Sequence, residues 1–151
     1  MPQKRKTTWI VVADGSRARI LASEGPATTM SVIDERDWPA ARQSTKDLGT
    51  DRPGRTGESA TPARHAIEPR IDWHEQEKAR FAGEMAKLLN TAAAQRRFDA
   101  LILVAPSRIL TEIGRHLDGA ARGKVINEVA KDLTRVPSGE LPARLQPMIH
   151  P

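Results

Sequence analysis

A split apolar segment near the start of the chain constrains the fold most. Residues 9–13 are uninterruptedly apolar, Asp14 and Gly15 follow them, and residues 17–20 alternate arginine with an apolar side chain. Asp-Gly between two such segments predicts a β-hairpin, because both residues tolerate the positive φ that a tight turn needs. The hairpin therefore opens the fold and places two arginines beside an aspartate at the end of a strand.

Composition limits the classes of protein that remain. The chain has 151 residues, no cysteine and a formal net charge of +5. Folding at this length buries roughly 68–70% of the surface of the unfolded chain, so one domain over 1–151 forms a core without disulfides. The lack of cysteine excludes thiolate chemistry and Cys-based metal sites. The basic charge favours RNA or another polyanion as partner, although acidic residues are mixed with the basic ones.

The amino-terminal segment does not fit an export signal. Basic residues 4–6 precede only five apolar residues before Asp14. A signal peptide needs an apolar stretch of roughly 7–15 residues, and a membrane helix needs about 20. We therefore expect a cytoplasmic protein without a membrane partner.

The rest of the chain predicts an antiparallel meander followed by alternating helices and strands. The predicted elements after the hairpin are a strand at 28–35, a helix from Asp72 to near Arg97, a strand at 100–105, a helix from Pro106, an edge strand within 123–134 and a short helix from Pro137. The 123–134 segment also fits a helix, because its apolar residues share a face at a spacing of four. The order βββαβαβα predicts an α/β fold, a ribonuclease-H-like three-layer domain with a mixed five-stranded sheet.

Residues 40–71 have a different composition. They are rich in proline, glycine, serine and threonine, carry Arg52, Arg55 and Arg64, and have almost no apolar anchors. A loop of this length is usually functional or disordered. Two interpretations stay open, a solvated insertion and a basic segment that becomes ordered on a partner. Its DRPGRTGES string is not a P-loop, but its arginines and backbone N–H groups suit phosphate.

Known catalytic patterns fit the sequence poorly. A ribonuclease-H-like nuclease holds two metal ions with carboxylates, but Asp14 lies beyond its strand and Ala105-Pro106 stands where a further ligand is needed. In HEQEK, Lys78 replaces the second histidine of a zinc protease. The sequence therefore predicts no catalytic residue, no metal site and no cofactor.

Four blocks of sequence are similar to a known family. They are WIVVADGSRARI at 9–20, RHAIEPRIDWHEQEKARFA at 64–82, LILVAPSRIL at 101–110 and KDLTRVPSGELPARL at 131–145. On these blocks the chain resembles the bacterial family of proteins required for attachment to host cells. That family is similar in fold to the middle domain of archaeal and eukaryotic peptide-release factors.

The resemblance carries an expectation about RNA. Release factors bear a Gly-Gly-Gln tripeptide between the third strand and the long helix, where it acts on the ester bond of peptidyl-tRNA. The corresponding loop here is 40–71, and the chain contains no Gly-Gly-Gln. The resemblance therefore implies a domain that lies against RNA, as in a ribosome-associated rescue or dormancy factor, without peptide-release activity.

We predict a non-enzymatic protein that binds RNA or a ribonucleoprotein, such as the ribosome, through its basic loop. The predicted ligand-binding residues are Asp14, Arg17, Arg19, Arg52, Arg55, Arg64, His65, Glu68 and Lys131. Two alternatives stay open. One is a hydrolase that uses His65 and Asp14 on a phosphorylated or nucleotide-like ligand, and the other is a protein-interaction module. Several of these residues also have a purely structural interpretation, with Asp14 in a turn and Lys131 solvating an edge strand.

Overall fold

The computed structural model of the protein describes residues 6–24, 30–42 and 63–149, except for the side chains of 63–72 and 149. The strands are β1 (Thr7–Ala13), β2 (Arg17–Glu24), β3 (Ser31–Asp37), β4 (Ala100–Val104) and β5 (Val125–Val129). The α-helices are α1 (Ala63–Ala94), α2 (Ser107–His116), α3 (Gly119–Arg122) and α4 (Leu141–Ile149), and a 3-10 helix covers Pro39–Ala41.

The five strands form one mixed sheet in the order β3-β2-β1-β4-β5. β2 is antiparallel to both β1 and β3, whereas β1, β4 and β5 run parallel to one another. Antiparallel neighbours close locally, and parallel neighbours need helical crossovers. The predicted α/β fold with a mixed five-stranded sheet is confirmed.

Both faces of the sheet are covered by helices. Because successive side chains of a strand point to opposite faces, the apolar runs of β1 and β4 supply two cores at once. The face under α1, α2 and α3 buries Trp9, Val11, Ile20, Leu101 and Leu103. The face under α4 buries Ile10, Val12, Leu21, Ile102 and Val104. The result is three layers, with β1 and β4 buried along almost their whole length.

The long helix begins earlier than the sequence predicts. α1 starts at Ala63, not at Asp72, and Pro69 lies inside it. A proline removes its own backbone N–H bond and does not by itself end a long helix, and Ala and Arg around it favour helix. The predicted loop at 40–71 was therefore wrong in its last part. Its residues 43–62 lie outside the described part of the chain.

The two edge strands agree with the prediction in kind but not in length. β3 extends to Asp37 because its charged end pairs in register with β2. β5 is a strand and not the alternative helix. It ends at Val129, whose carbonyl accepts a hydrogen bond from the N–H of Lys131 at 3.0 Å. The sequence did not predict the four-residue helix α3, which Asp118 caps by accepting from the N–H of Ala121.

Candidate anion-binding cleft at the β2–β3 end of the sheet

The turn between β1 and β2 is organised by the Asp14 side chain. Asp14 Oδ1 accepts hydrogen bonds from the backbone N–H of Ser16 and of Arg17, each at 2.7 Å. The N–H of Asp14 donates to the Arg17 carbonyl at 2.9 Å. The predicted hairpin is confirmed, but the reason given for it was wrong. Neither Asp14 nor Gly15 lies in the left-handed region, and the aspartate instead forms an Asx-type turn.

Gly15 is needed for a close approach rather than for its backbone freedom. A Cβ at this position would lie 2.7 Å from Lys78 Cγ and 2.9 Å from Lys78 Cδ. The stem of Lys78, on α1, therefore passes directly over the turn. With Lys78 in this conformation, a side chain at position 15 would require the lysine stem to move.

Asp14 also connects the hairpin to the segment that follows β5. Its Oδ2 lies 3.1 Å from Thr134 Oγ1, and the same hydroxyl lies 2.5 Å from Asp132 Oδ1. A threonine hydroxyl has one proton and donates to one carboxylate at a time. The two aspartates therefore share a single donor, and both oxygens of Asp14 are engaged in structural contacts.

Arg19 is the second connection between the sheet and this segment. Its Nη2 donates to the carbonyls of Leu133 at 3.0 Å and Thr134 at 2.8 Å, and its Nη1 donates to Ser138 Oγ at 3.3 Å. A guanidinium has a planar set of donors that suits several acceptors at once. Arg19 therefore holds the 133–138 segment against β2.

An open cleft of about 470 Å³ lies between this segment and the charged ends of β2 and β3. We call it the arginine cleft, and its lining residues are Arg17, Ala18, Arg19, Glu35, Arg36, Asp37, Arg42, Thr134 and Ser138. Register pairing explains the alternation of charge along it, because Arg17 lies opposite Asp37 and Arg19 lies opposite Glu35. Arg36 lies opposite Ala18, which is buried in the core on the α1 side, so the Arg36 side chain starts from the other face of the sheet. Arg17, Arg19 and Arg42 outnumber the acidic residues Glu35 and Asp37 of the lining, which suits the cleft to an anion.

The mouth of the cleft contains a forked ion pair. Arg42 Nη1 lies 2.5 Å from Asp37 Oδ1, and Arg42 Nη2 lies 3.2 Å from Asp37 Oδ2. Arg17 Nε reaches the same Oδ1 at 3.9 Å. The hydrogen bond from Arg42 holds the pKa of the Asp37 carboxyl below its ordinary value. The same bond raises the pKa of the Arg42 guanidinium.

The structure brings only some of the predicted site residues together. Arg17 and Arg19 line the cleft, and Asp14 lies next to it through Thr134. Lys131 is exposed beyond the end of β5 and does not line the cleft. Arg64, His65 and Glu68 fall on α1, with side chains outside the description, and Arg52 and Arg55 lie in 43–62.

Other cleft residues were missed by the sequence analysis. Arg36, Asp37 and Arg42 come from the end of β3 and the turn after it, and Thr134 and Ser138 come from the segment after β5. The alternation of charge in DERD at 34–37, opposite the arginines of β2, was a usable signal for the first group. Nothing local in the sequence places Thr134 or Ser138 beside it.

Among the residues whose side chains are described, 6–24, 30–42 and 73–148, no cluster of three or more His, Asp or Glu side chains is arranged to hold a metal ion. Within 6–24, 30–42 and 63–149, no helix combines the length and apolar character needed to cross a membrane.

A mixed α/β domain with a basic cleft at one end of its sheet is the class of protein that this geometry defines. Residues 9–145 match the family described as "Protein required for attachment to host cells", and the chain belongs to that family. The family indicated by the four sequence blocks is thus confirmed.

The crystal structure of the archaeal translation termination factor aRF1 is similar to this chain with a TM-score of 0.44 and 14% sequence identity. The match covers 95% of this chain and 39% of the length of that one. No curated protein matches the sequence.

Proposed function

We propose that this member of the host-attachment family binds RNA, free or in a ribonucleoprotein such as the ribosome, through the arginine cleft. The observation that carries the proposal is the presence of four arginines, Arg17, Arg19, Arg36 and Arg42, in the lining of one open cleft. One guanidinium group can donate two parallel hydrogen bonds to two phosphate oxygens, and its charge attracts a polyanion before contact is made.

The guanidinium groups of the cleft differ in how available they are. The side chain of Arg17 is 54% exposed, and its ion pair with Asp37 is long at 3.9 Å. Arg36 is similarly exposed and pairs with Asp34 at 2.9 Å. Exposed ion pairs of this kind contribute little to stability and exchange readily. Arg17 and Arg36 can therefore contact phosphate without disrupting the fold, whereas Arg19 is occupied by the 133–138 segment.

A long anion can use more of the arginines of the cleft than a small one can. A ligand with many phosphates gains from each cation it contacts, because every neutralised phosphate releases counterions. Residues 43–62 follow Arg42 in the sequence and carry three basic residues, Lys46, Arg52 and Arg55, together with three acidic ones, Asp47, Asp51 and Glu58. The proposal therefore rests on the arginines of the cleft, and the contribution of the predicted basic loop stays a prediction.

Binding of fluorescein-labelled transfer RNA, followed by anisotropy, tests the proposal. We expect binding at about 50 mM salt that weakens steeply towards about 200 mM, and Arg17→Gln is expected to reduce the slope of log affinity against log salt by about 1. The matched control is Arg115→Gln on α2, which removes the same charge from an exposed arginine paired with Glu112. No binding at the lower salt, or equal losses in the two variants, would refute the proposal.

We also propose that the protein does not release peptides. The support is the absence of Gly-Gly-Gln from the chain. Ribosomes that carry labelled peptidyl-tRNA are expected to keep their peptide when the protein is added at saturating concentration. Release above the rate without protein would contradict this part of the proposal. The cytoplasmic location stays a prediction.

A further inference from the structure

We propose that Asp37 occupies the phosphate position of the arginine cleft in the free protein, so that its carboxylate competes with the incoming ligand and selects polyanions over single anions. The inference rests on the proposed function and adds to it a residue that controls affinity and specificity. It starts from the juxtaposition of Asp37 with two arginines, one on β2 and one after β3.

The geometry of the pair is that of a bound oxyanion. Both terminal nitrogens of Arg42 meet both oxygens of Asp37, at 2.5 and 3.2 Å, while Arg17 approaches one of these oxygens from the neighbouring strand. An arginine fork accepts a carboxylate and a phosphate in the same bidentate manner. A phosphate group that entered the cleft would therefore meet the same donors that Asp37 now uses.

Asp37 can leave this position without disturbing its partner. The Asp37 side chain is 56% exposed at the end of an edge strand, whereas Arg42 is only 35% exposed. Arg42 Nη1 also lies 3.2 Å from Ser16 Oγ and 3.4 Å from the Ser16 carbonyl. These contacts keep the guanidinium in place after the carboxylate has moved, so the donor is already oriented for the ligand.

Competition from Asp37 affects small and large anions differently. A single phosphate must displace the carboxylate and gains only the same fork in return. A phosphate within RNA makes the same exchange while its neighbours contact other exposed arginines at the rim of the cleft, such as Arg36, so the gain exceeds the loss. The carboxylate therefore suppresses the binding of free phosphate more than the binding of RNA.

The variant Asp37→Asn tests the inference, because asparagine keeps the shape and removes the charge. We expect it to bind labelled transfer RNA about two- to fivefold more tightly than the unchanged protein, the range that an exposed ion pair can supply. The matched control is Glu112→Gln, which frees Arg115 on α2 from a similar surface pair away from the cleft. It is expected to leave affinity unchanged within error.

Inorganic phosphate provides a probe that is independent of RNA. Titration calorimetry is expected to detect phosphate binding to Asp37→Asn and a several-fold weaker signal, or none, with the unchanged protein and Glu112→Gln. In an Arg42→Gln background the gain from Asp37→Asn should be lost, since the effect passes through that arginine. Thermal unfolding of each variant shows that the fold is retained.

The outcomes separate the two proposals. If Asp37→Asn and Glu112→Gln behave alike with RNA and with phosphate, the role of Asp37 is refuted, and the RNA proposal stands as long as the unchanged protein binds RNA with Arg17 dependence. If the unchanged protein binds no RNA, the proposed function fails. In that case, phosphate binding by Asp37→Asn but not by the unchanged protein still supports the inference that Asp37 occupies the phosphate position. If Asp37→Asn binds no phosphate either, that inference is refuted as well.

Discussion

The indole N–H of Trp38 donates to Glu77 Oε1 at 2.9 Å, and this hydrogen bond joins the end of β3 to α1. Glu77 is only 4% exposed, and its other oxygen accepts from Arg80 at 3.0 Å. The ring of Trp38 also packs against Phe81, with centroids 6.0 Å apart. A buried carboxylate is thus satisfied by one donor from each side of the contact.

Replacing Glu77 tests how much this contact stabilises the fold. Glu77→Ala leaves the indole N–H without its acceptor, and we expect the free energy of unfolding to fall by about 1–3 kcal/mol. Glu77→Gln keeps an acceptor oxygen for Trp38 and should lose less. Urea unfolding monitored by circular dichroism measures both. Equal losses would show that the hydrogen bond to Trp38 is not the cause.

A methyl group at Gly15 should conflict with Lys78. We expect Gly15→Ala to lower the free energy of unfolding by about 1–3 kcal/mol, because the added carbon overlaps the lysine stem. In a Lys78→Ala background the stem is gone, and most of the loss should disappear. The coupling energy from this double-mutant cycle is the measurement. A cost that is the same in both backgrounds would point to the backbone of the turn instead.

The stability of the Asx turn should depend on the side-chain oxygen of Asp14 more than on its negative charge. Asp14→Ala removes the acceptor for two backbone N–H groups, and a loss of about 1–3 kcal/mol is expected. Asp14→Asn can still accept both bonds through Oδ1 and can donate to Thr134 Oγ1, so its stability should stay closer to that of the unchanged protein. Thermal unfolding distinguishes the two, and a more damaging asparagine would contradict the turn geometry.

Arg19 should control the order of the segment after β5. Arg19→Lys retains the charge but loses the planar fork, so the carbonyls of Leu133 and Thr134 cannot both be satisfied. We expect faster amide hydrogen exchange across 133–138 than in the unchanged protein. Arg17→Lys, on the same strand and face, is the control and should leave this exchange unaltered. If the two variants exchange their amide hydrogens at similar rates across 133–138, Arg19 does not hold this segment.

Acid should abolish the contribution of the Asp37–Arg42 pair. The pKa of Asp37 is lowered in the folded protein, so the pair stabilises the fold above the pKa of the unfolded chain, about 4. This stabilisation is lost as the pH falls through the lowered folded value. The stability difference between the unchanged protein and Asp37→Asn, measured by urea unfolding across this range, should shrink towards zero in acid. If the stability difference persists or grows in acid, the Asp37–Arg42 pair is not its cause.

Local patterns in the sequence were sufficient for the sheet and its element order. The apolar runs of β1 and β4 indicate strands buried on both faces, and Asp14 with Gly15 marks the hairpin between β1 and β2. The start of α1 was not predictable in the same way, because Pro69 and the loop-like composition around it suggested that the helix begins only at Asp72, whereas it begins at Ala63. The helix-breaking tendency of this proline competes there with the helix propensity of the surrounding residues.

The cleft was only partly predictable, because its residues come from distant parts of the chain. Arg17 and Arg19 are recognisable from the alternation in β2. Thr134 and Ser138 reach the cleft only after the crossover to β5 returns the chain past the hairpin. Their partners across the cleft, Asp14 and Arg19, are more than a hundred residues away in sequence. Hydrophobic periodicity reports only local structure, so it could not predict these contacts.

The position of β1 in the sheet has a consequence for how the protein is made. Its partner on one side, β2, follows within a few residues, whereas its parallel partner β4 is translated only after the whole of α1. While the chain is still being synthesised, β1 therefore carries one open hydrogen-bonding edge and two apolar faces. That nascent intermediate is the stage at which the molecule is most exposed to misassociation, and where a chaperone has the most surface to hold.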